Sequence, residues 1–188
     1  DPASQPQVLA ANEFLERAAK AVGAAALYLL DDRGVAIAAS NWREAGSFVG
    51  NDYSFRPYFR EAMSAGRGHY YGVGVTTGLL GYFISSRVFR SSDQNAAGVL
   101  VVKIDFSELE ESWAKGSEIV LVTDQDGVVF LTNEKNLKYR PVRPLSDEAH
   151  ARLDSERRYA ANPIGPVVEA KLLDEDLSAS GPIAQTSW

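Results

Sequence analysis

The chain has 188 residues, no cysteine and a formal net charge of −6. The acidic balance argues against nucleic-acid binding, which needs a basic face, and the lack of cysteine excludes thiol catalysis and iron–sulfur clusters. Hydrophobic residues make up 45% of the chain, enough for a packed core. No stretch reaches the roughly 18 apolar residues that a membrane span needs.

The first part of the chain predicts a helix, a hairpin and a second helix. Apolar residues recur every three and four positions over residues 8–22, which indicates an amphipathic helix. Two apolar runs flank the turn Asp31–Gly34 and predict a β-hairpin. Residues 54–65 place aromatic and apolar side chains on one helical face, and Pro57 suits the first turn of that helix.

The middle of the chain is rich in predicted strands. Residues 69–75 and 82–89 read as a second hairpin, 98–106 as a strongly apolar strand, and Ser107–Trp113 as a short helix. The order does not alternate as a parallel fold would. It predicts an α+β fold, an antiparallel sheet flanked by helices.

A strand–turn–strand pattern returns later in the chain. Its turn glycine, Gly127, lies 93 positions after Gly34, and both follow an Asp-x-x-Gly turn. This favours an internal duplication, although two unrelated hairpins would give the same pattern. A charged helix over 147–158 and a strand over 167–170 are predicted in the tail, so the second unit is expected to be smaller or truncated.

Enzyme signatures are missing from the sequence. It contains no Walker loop, no Gly-x-Ser-x-Gly and no His-Glu-x-x-His, and no nucleophile stands beside a base. Asp124 and Asp126 fit a turn better than a calcium loop, whose terminal Glu is missing. The sequence therefore predicts a binding domain without cofactor or metal.

Two cationic residues stand out. Arg56 precedes Pro57, which biases Arg56 away from helical geometry and places it at the helix start, where free N–H groups and the helix dipole favour an anion. Its alternative partner is Asp52. Lys103 interrupts the most apolar strand, so its side chain must snorkel, face a ligand cavity or pair with Asp105.

Small and polar residues occupy the two strands between these cations. They supply hydroxyls and bare backbone where a core usually holds branched aliphatics, and ordinary hairpin chemistry is the alternative. The residues are Tyr71, Gly72, Gly74, Thr76, Thr77, Gly81 and Ser85. Together with Arg56 and Lys103 they predict a pocket with two cationic ends, suited to a short dianion.

Several runs carry a family resemblance. Ser54–Phe59, Gly81–Val88 and Gly98–Asp105, the last followed by Leu109–Trp113, resemble the double-Cache (PDC, PAS-like) sensor domains of bacterial membrane receptors. The Arg-Pro-Tyr-Phe run together with Val-Lys-Ile-Asp is similar to C4-dicarboxylate sensor histidine kinases of the DctB type.

The resemblance implies two PAS-like modules in the periplasm. Residues 1–115 would form the membrane-distal, ligand-binding module and residues 116–188 part of the membrane-proximal one. The modules would belong to a homodimeric inner-membrane histidine kinase whose flanking membrane helices lie outside this chain. The domain itself would be no enzyme and would bind neither cofactor nor nucleic acid.

The resemblance also implies a ligand shell. Tyr53 and Arg56 would contact one carboxylate of succinate, fumarate or malate, and Lys103 the other. The shell would be completed by Tyr71, Gly74, Thr76, Thr77 and Ser85. In amino-acid-binding relatives an Asp at the position of Asp105 holds the amine, so an amino-acid or other carboxylate chemoreceptor domain is the alternative, and a ligand-free interaction module is a further one.

Overall fold

The computed structural model describes residues 6–90 and 95–168. Two compact units form, one from Asp1–Phe106 with Ala151–Ala161 and one from Ser107–His150 with Asn162–Trp188. The predicted module boundary after residue 115 stays a prediction. The helices and strands of the described residues are α1 Pro6–Val22, β1 Ala26–Asp31, β2 Ala36–Ala39, α2 Pro57–Ala65, β3 Arg67–Val73, β4 Leu80–Phe89, β5 Ala96–Asp105, α3 Ser107–Trp113, β6 Leu121–Thr123, β7 Val129–Thr132, a 3-10 turn Lys135–Leu137 and α4 Asp147–Ser155.

The first unit is built on a five-stranded antiparallel sheet in the order β2-β1-β5-β4-β3. The apolar strand β5 lies at its centre, which fits a strand that is covered on both faces. Alternation along β5 sends Val99, Val101 and Lys103 to one face, called here the inner face. The predicted α+β class with an antiparallel sheet is confirmed.

The inner face carries the main core of this unit. Tyr28 and Leu30 of β1 and Phe83 of β4 pack there with Val99 and Val101 against helix α2. Helix α1 covers β1 and β2 on the opposite face, where Leu15 and Ala19 meet Leu27 and Ala38. The sheet is therefore sandwiched between two helices, as the helical periodicity predicted.

Helix α2 has well-defined ends. Pro57 occupies its first turn and Arg56 is the N-cap with extended backbone angles. Gly66 ends the helix in the left-handed conformation, with φ at 90°, and its N–H donates to the carbonyl of Ala62. The proline thus fixes Arg56 immediately outside the helix, where the sequence placed it.

The two Asp-x-x-Gly turns have the same internal structure. Asp31 Oδ1 accepts from the N–H groups of Arg33 and Val35, and Asp124 Oδ1 accepts from those of Asp126 and Val128. Gly34 and Gly127 adopt φ values of 90° and 86°. Two unrelated hairpins with Asp-x-x-Gly turns would share this geometry too, so the duplication stays a prediction.

The tail departs from two expectations. Helix α4 ends at Ser155 rather than at residue 158. Val168 lies in no strand, although its N–H donates to the carbonyl of Pro141, so the predicted strand is wrong for its described half. Residues 169–170 of that prediction lie outside the described residues.

Candidate ligand-binding site

A small cavity lies between the start of α2, the inner face of the sheet and the loop of residues 74–79 that joins β3 to β4. Five of the predicted ligand residues line it: Tyr53, Arg56, Gly74, Thr76 and Lys103. The other lining residues are Tyr28, Phe48, Tyr58, Val75 and Phe83. Arg56 and Lys103, from separate elements, thus face one common space.

Arg56 is 1% exposed and its guanidinium is held by backbone carbonyls. Nη2 donates to Val73 O at 2.7 Å, and Nη1 donates to Glu156 O at 3.0 Å and to Arg157 O at 3.1 Å. Nη1 also reaches the Tyr70 hydroxyl at 3.4 Å. Carbonyl oxygens orient the fork without neutralising its charge.

Two of these carbonyls come from residues 151–161, called here the return segment because the chain re-enters the first unit there. The Val73 N–H donates to Arg158 O at 2.6 Å. The Arg158 guanidinium lies 5.0 Å from the Tyr70 ring centroid and 4.8 Å from that of Tyr71, and pairs with Glu156 at 2.7 Å. Arg158 therefore anchors the segment that holds Arg56.

Lys103 is 3% exposed and points from β5 into the cavity. Its Nζ donates to Thr77 Oγ1 at 2.8 Å and lies 3.5 Å from Leu79 O. Burial lowers the pKa of the ammonium; Asp105 opposes this shift and the positive charge of Arg56 adds to it. The contribution of Arg56 is the electrostatic repulsion expected between two cations that face one cavity.

Side-chain hydroxyls hold the 74–79 loop over the cavity. Tyr53 and Thr76 share a hydrogen bond of 2.8 Å between their hydroxyl oxygens, and Thr77 accepts from Lys103. About 10 Å³ of the cavity admits a water-sized sphere, which is room for about one water molecule. A ligand larger than water therefore requires the loop to move and these bonds to exchange.

Three predicted ligand residues lie outside the lining. Thr77 touches the site through Lys103. Tyr71 instead packs beside Arg158 of the return segment. Ser85 is 2% exposed, and its hydroxyl donates to Tyr58 O at 2.7 Å and Gly68 O at 3.0 Å, which ties β4 to α2. Ser85 is thus occupied by structural hydrogen bonds.

Sequence reasoning missed the aromatic walls of the cavity. Tyr28 and Tyr58 join their hydroxyls at 2.8 Å, and the rings of Tyr58 and Phe83 stack at 5.2 Å. Phe83 pairs with Lys103 and Tyr28 pairs with Val101 on the inner face, so strand alternation is the signal that could have found both residues. Phe48 comes from an irregular loop and carried no such signal.

Two buried cations that face an aromatic cavity suit the binding of an anion. No group of three or more His, Asp or Glu in residues 6–90 and 95–168 is arranged to hold a metal ion. None of the helices described in that range combines the length and apolar character of a membrane span.

Comparison with known proteins finds relatives that are sensor proteins. No family model matches the chain. It is 34% identical over 168 residues to the C4-dicarboxylate transport sensor protein DctB of Rhizobium meliloti (strain 1021), covering 89% of this chain and 27% of that protein. It is 40% identical over 147 residues to the DctB protein of Pseudomonas aeruginosa, covering 76% and 24%. The chain thus spans about a quarter of the length of these relatives.

A solved structure extends the match to three dimensions. The sensor domain of the Vibrio cholerae histidine kinase DctB superposes with a TM-score of 0.78 at 31% identity, covering 85% of this chain and 61% of that one. Fold and site together define a ligand-sensing domain of the double-Cache (PDC) class. Within that class the chain is a periplasmic sensor domain of the DctB type, so the predicted family and localisation are confirmed.

Proposed function

We propose that this chain binds C4-dicarboxylates such as succinate, fumarate or malate between Arg56 and Lys103. The observation that carries the proposal is a small cavity that two buried cations line and that, among residues 6–90 and 95–168, no acidic side chain lines. Two sequence relatives are named C4-dicarboxylate transport sensor proteins, which agrees with that charge pattern.

Electrostatics favour a dianion at this place. Two like charges that face one cavity raise each other's energy, and a ligand with a carboxylate at each end offsets both. Each charge-assisted hydrogen bond contributes about 1.5–3 kcal/mol. A monocarboxylate would satisfy one cation and leave the other buried without a counter-charge.

The loop supplies the remaining polar groups. When the ligand enters, Thr77 yields its place on the Lys103 ammonium to a carboxylate oxygen, and the Tyr53 and Thr76 hydroxyls turn from each other to the ligand. Bonds within the protein are exchanged for bonds to the ligand, so opening and closing of the 74–79 loop follows occupancy.

An amino-acid ligand is the rival proposal. It needs an acidic group for the amine, and Asp105 is the candidate. Asp105 is exposed and is not one of the residues that line the cavity, whereas Lys103 is. This arrangement favours a second carboxylate over an amine.

The whole receptor extends beyond this chain. In the proposed assembly, flanking membrane helices connect a homodimer of sensor domains to cytoplasmic kinase domains. The sensor domain contributes ligand binding, and phosphoryl transfer belongs to the rest of the protein. A ligand-dependent shift between two conformations carries the signal.

Calorimetric titration with succinate tests the proposal on the wild type, Arg56→Lys and Lys103→Met. Arg56→Lys keeps the charge and removes the planar fork; Lys103→Met keeps the length and removes the charge. We expect each change to weaken binding at least about tenfold, because each removes about 1.4 kcal/mol or more of charge-assisted contact.

The matched control is Arg67→Met, which removes a cation from an exposed position on β3. Its affinity should stay within about twofold of the wild type, because an exposed charge acts on the cavity only through screened solvent. Equal affinity in the wild type and both cavity variants, or no binding of any C4-dicarboxylate, contradicts the proposal.

A further inference from the structure

The side chain of Lys103 crosses a glycine on the neighbouring strand. Phe83 of β4 is the direct partner of Lys103, and Gly81 pairs with Asp105, two positions further along the same face. Gly81 is therefore the diagonal neighbour of Lys103 across the β4–β5 pair. A long side chain at Lys103 reaches the loop by passing over this position.

Gly81 is explained by the lack of room for a side chain, and not by its backbone conformation. Gly81 is not among the glycines with positive φ, so its backbone suits other residues as well. A Cβ atom at Gly81 would lie 2.6 Å from Lys103 Cε, 3.1 Å from Lys103 Cγ and 3.1 Å from Ile104 O. The bare backbone of Gly81 thus leaves the room that the Lys103 stem fills.

A second glycine stands at the far end of this path. A Cβ atom at Gly74 would lie 3.3 Å from Lys103 Nζ and 2.7 Å from Thr77 Oγ1. Gly74 also has an ordinary φ. The stem and the ammonium of Lys103 therefore run along two positions without side chains, and they end at the cavity.

We propose that Gly81 is a positioning residue for ligand binding: it leaves open the channel that aims the Lys103 ammonium into the cavity. This inference rests on the proposed function, in which Lys103 binds the second carboxylate of the ligand. Gly81 itself touches no ligand and acts through Lys103.

A methyl group at position 81 moves the lysine more readily than the strands. The closest atom it meets, Lys103 Cε at 2.6 Å, belongs to a flexible side chain that has other rotamers, whereas the backbone atom Ile104 O lies further away at 3.1 Å. Strand β4 is held by neighbours on both sides. The substitution Gly81→Ala is expected to turn the ammonium away from the cavity and to leave the sheet intact.

A double-mutant cycle measures this dependence. Succinate affinity and the midpoint of thermal unfolding are measured for the wild type, Gly81→Ala, Lys103→Ala and the double variant. We expect Gly81→Ala to weaken succinate binding about tenfold when Lys103 is present, and less than about twofold when Lys103→Ala has removed the stem. Gly46→Ala is the control, because a Cβ atom there meets nothing within 4 Å.

An NMR titration of the Lys103 side chain adds a readout that a purely structural role would not move. Lys103 displaced from the channel becomes more solvated, so its pKa should return toward 10.5 in Gly81→Ala. An unchanged Lys103 pKa, or equal loss of affinity from Gly81→Ala in both Lys103 backgrounds, overturns the inference.

The two proposals fail in different ways. A wild-type chain that binds no C4-dicarboxylate contradicts the proposed function. The unfolding midpoints then still decide whether Gly81 positions Lys103, because the effect of Gly81→Ala on the midpoint should differ between chains with and without the lysine. An equal change of the midpoint in both backgrounds contradicts the role of Gly81 alone.

Discussion

Burial controls the charge state of Lys103 before any ligand arrives. The ammonium lies among aromatic rings, 5.8 Å from the Phe83 centroid, and its closest hydrogen-bond partner is the neutral Thr77 hydroxyl. Burial in these surroundings disfavours the charged form, and the facing Arg56 adds to the effect. The free site is thus less stable than a neutral core, and the proposed anionic ligand would stabilise it.

The lowered pKa of Lys103 makes the stability of the fold depend on pH. The pKa of Lys103 is lowered in the folded state, so between that value and 10.5 the unfolded chain binds more protons than the folded one. Stability therefore rises with pH in that window, and the cost of the buried charge is fully present below it. We expect the free energy of unfolding of the wild type to rise relative to Lys103→Met as the pH increases from about 7 to about 10.

Urea unfolding at matched pH values gives the comparison. The buried tyrosines are common to both chains, so their titration cancels when one curve is subtracted from the other. Tyr70, whose pKa is raised to about 12 mainly by burial, is one of them. Two curves that stay parallel across the whole window would contradict a buried, charged Lys103.

At the scale of elements, the return segment organises the Arg56 end of the site. It follows α4, and its residues Arg157 and Ala160 adopt positive φ values of 47° and 52°. Gly72 makes room for it, since a Cβ atom there would lie 2.8 Å from Arg158 O. The segment and the end of β3 therefore fit together closely beside the cavity.

Removing the anchor of this segment should disturb both stability and binding. Arg158→Ala deletes the Glu156 pair and the contacts with two tyrosine rings, so we expect a loss of about 2 kcal/mol in unfolding free energy. Succinate affinity should also fall, because Arg56 loses its fixed carbonyl partners. Denaturant unfolding and calorimetry measure the two effects.

The neighbouring Arg157 offers a matched control. Its side chain is exposed and lies over the Phe55 ring, and its backbone carbonyl, which Arg56 contacts, is kept in Arg157→Ala. Arg157→Ala should therefore change stability by less than about 0.5 kcal/mol. Similar losses in Arg158→Ala and Arg157→Ala would show that the segment has no specific anchor.

Short-range sequence patterns predicted Arg56 and Lys103 but missed the return segment. The Arg-Pro step placed Arg56 at the helix start, and strand alternation turned Lys103 to the inner face, because both signals lie within a few residues. The contact between Arg56 and Glu156 spans 100 positions, and no periodicity in the sequence encodes it. In the sequence, a strand serine that binds a ligand cannot be told from one that makes structural hydrogen bonds. The partners of the Ser85 hydroxyl are backbone oxygens of other elements, which the sequence does not reveal.

At the scale of the whole molecule, the chain path runs from the second unit into the first and back again. Residues Ala151–Ala161 belong to the first unit, while the residues directly before and after them belong to the second. The segment shares Arg56 with the cavity. A carboxylate that draws the guanidinium toward itself therefore weakens the hold on the carbonyls of Glu156 and Arg157, provided that the proposed ligand binds there.

Hydrogen exchange should report this competition. The N–H groups of Arg158 and Ala160 donate to Leu153 O and Arg157 O, both at 3.0 Å, within the return segment. We expect saturating succinate to speed exchange at these two amides, because the segment opens more often once Arg56 is shared with the ligand. Amides of helix α1, on the opposite face of the sheet, should exchange at the same rate with and without succinate. Slower exchange at Arg158 and Ala160, or a change of equal size in α1, would contradict the prediction. Either result would mean that ligand binding affects the first unit as a whole and does not act on the return segment through Arg56.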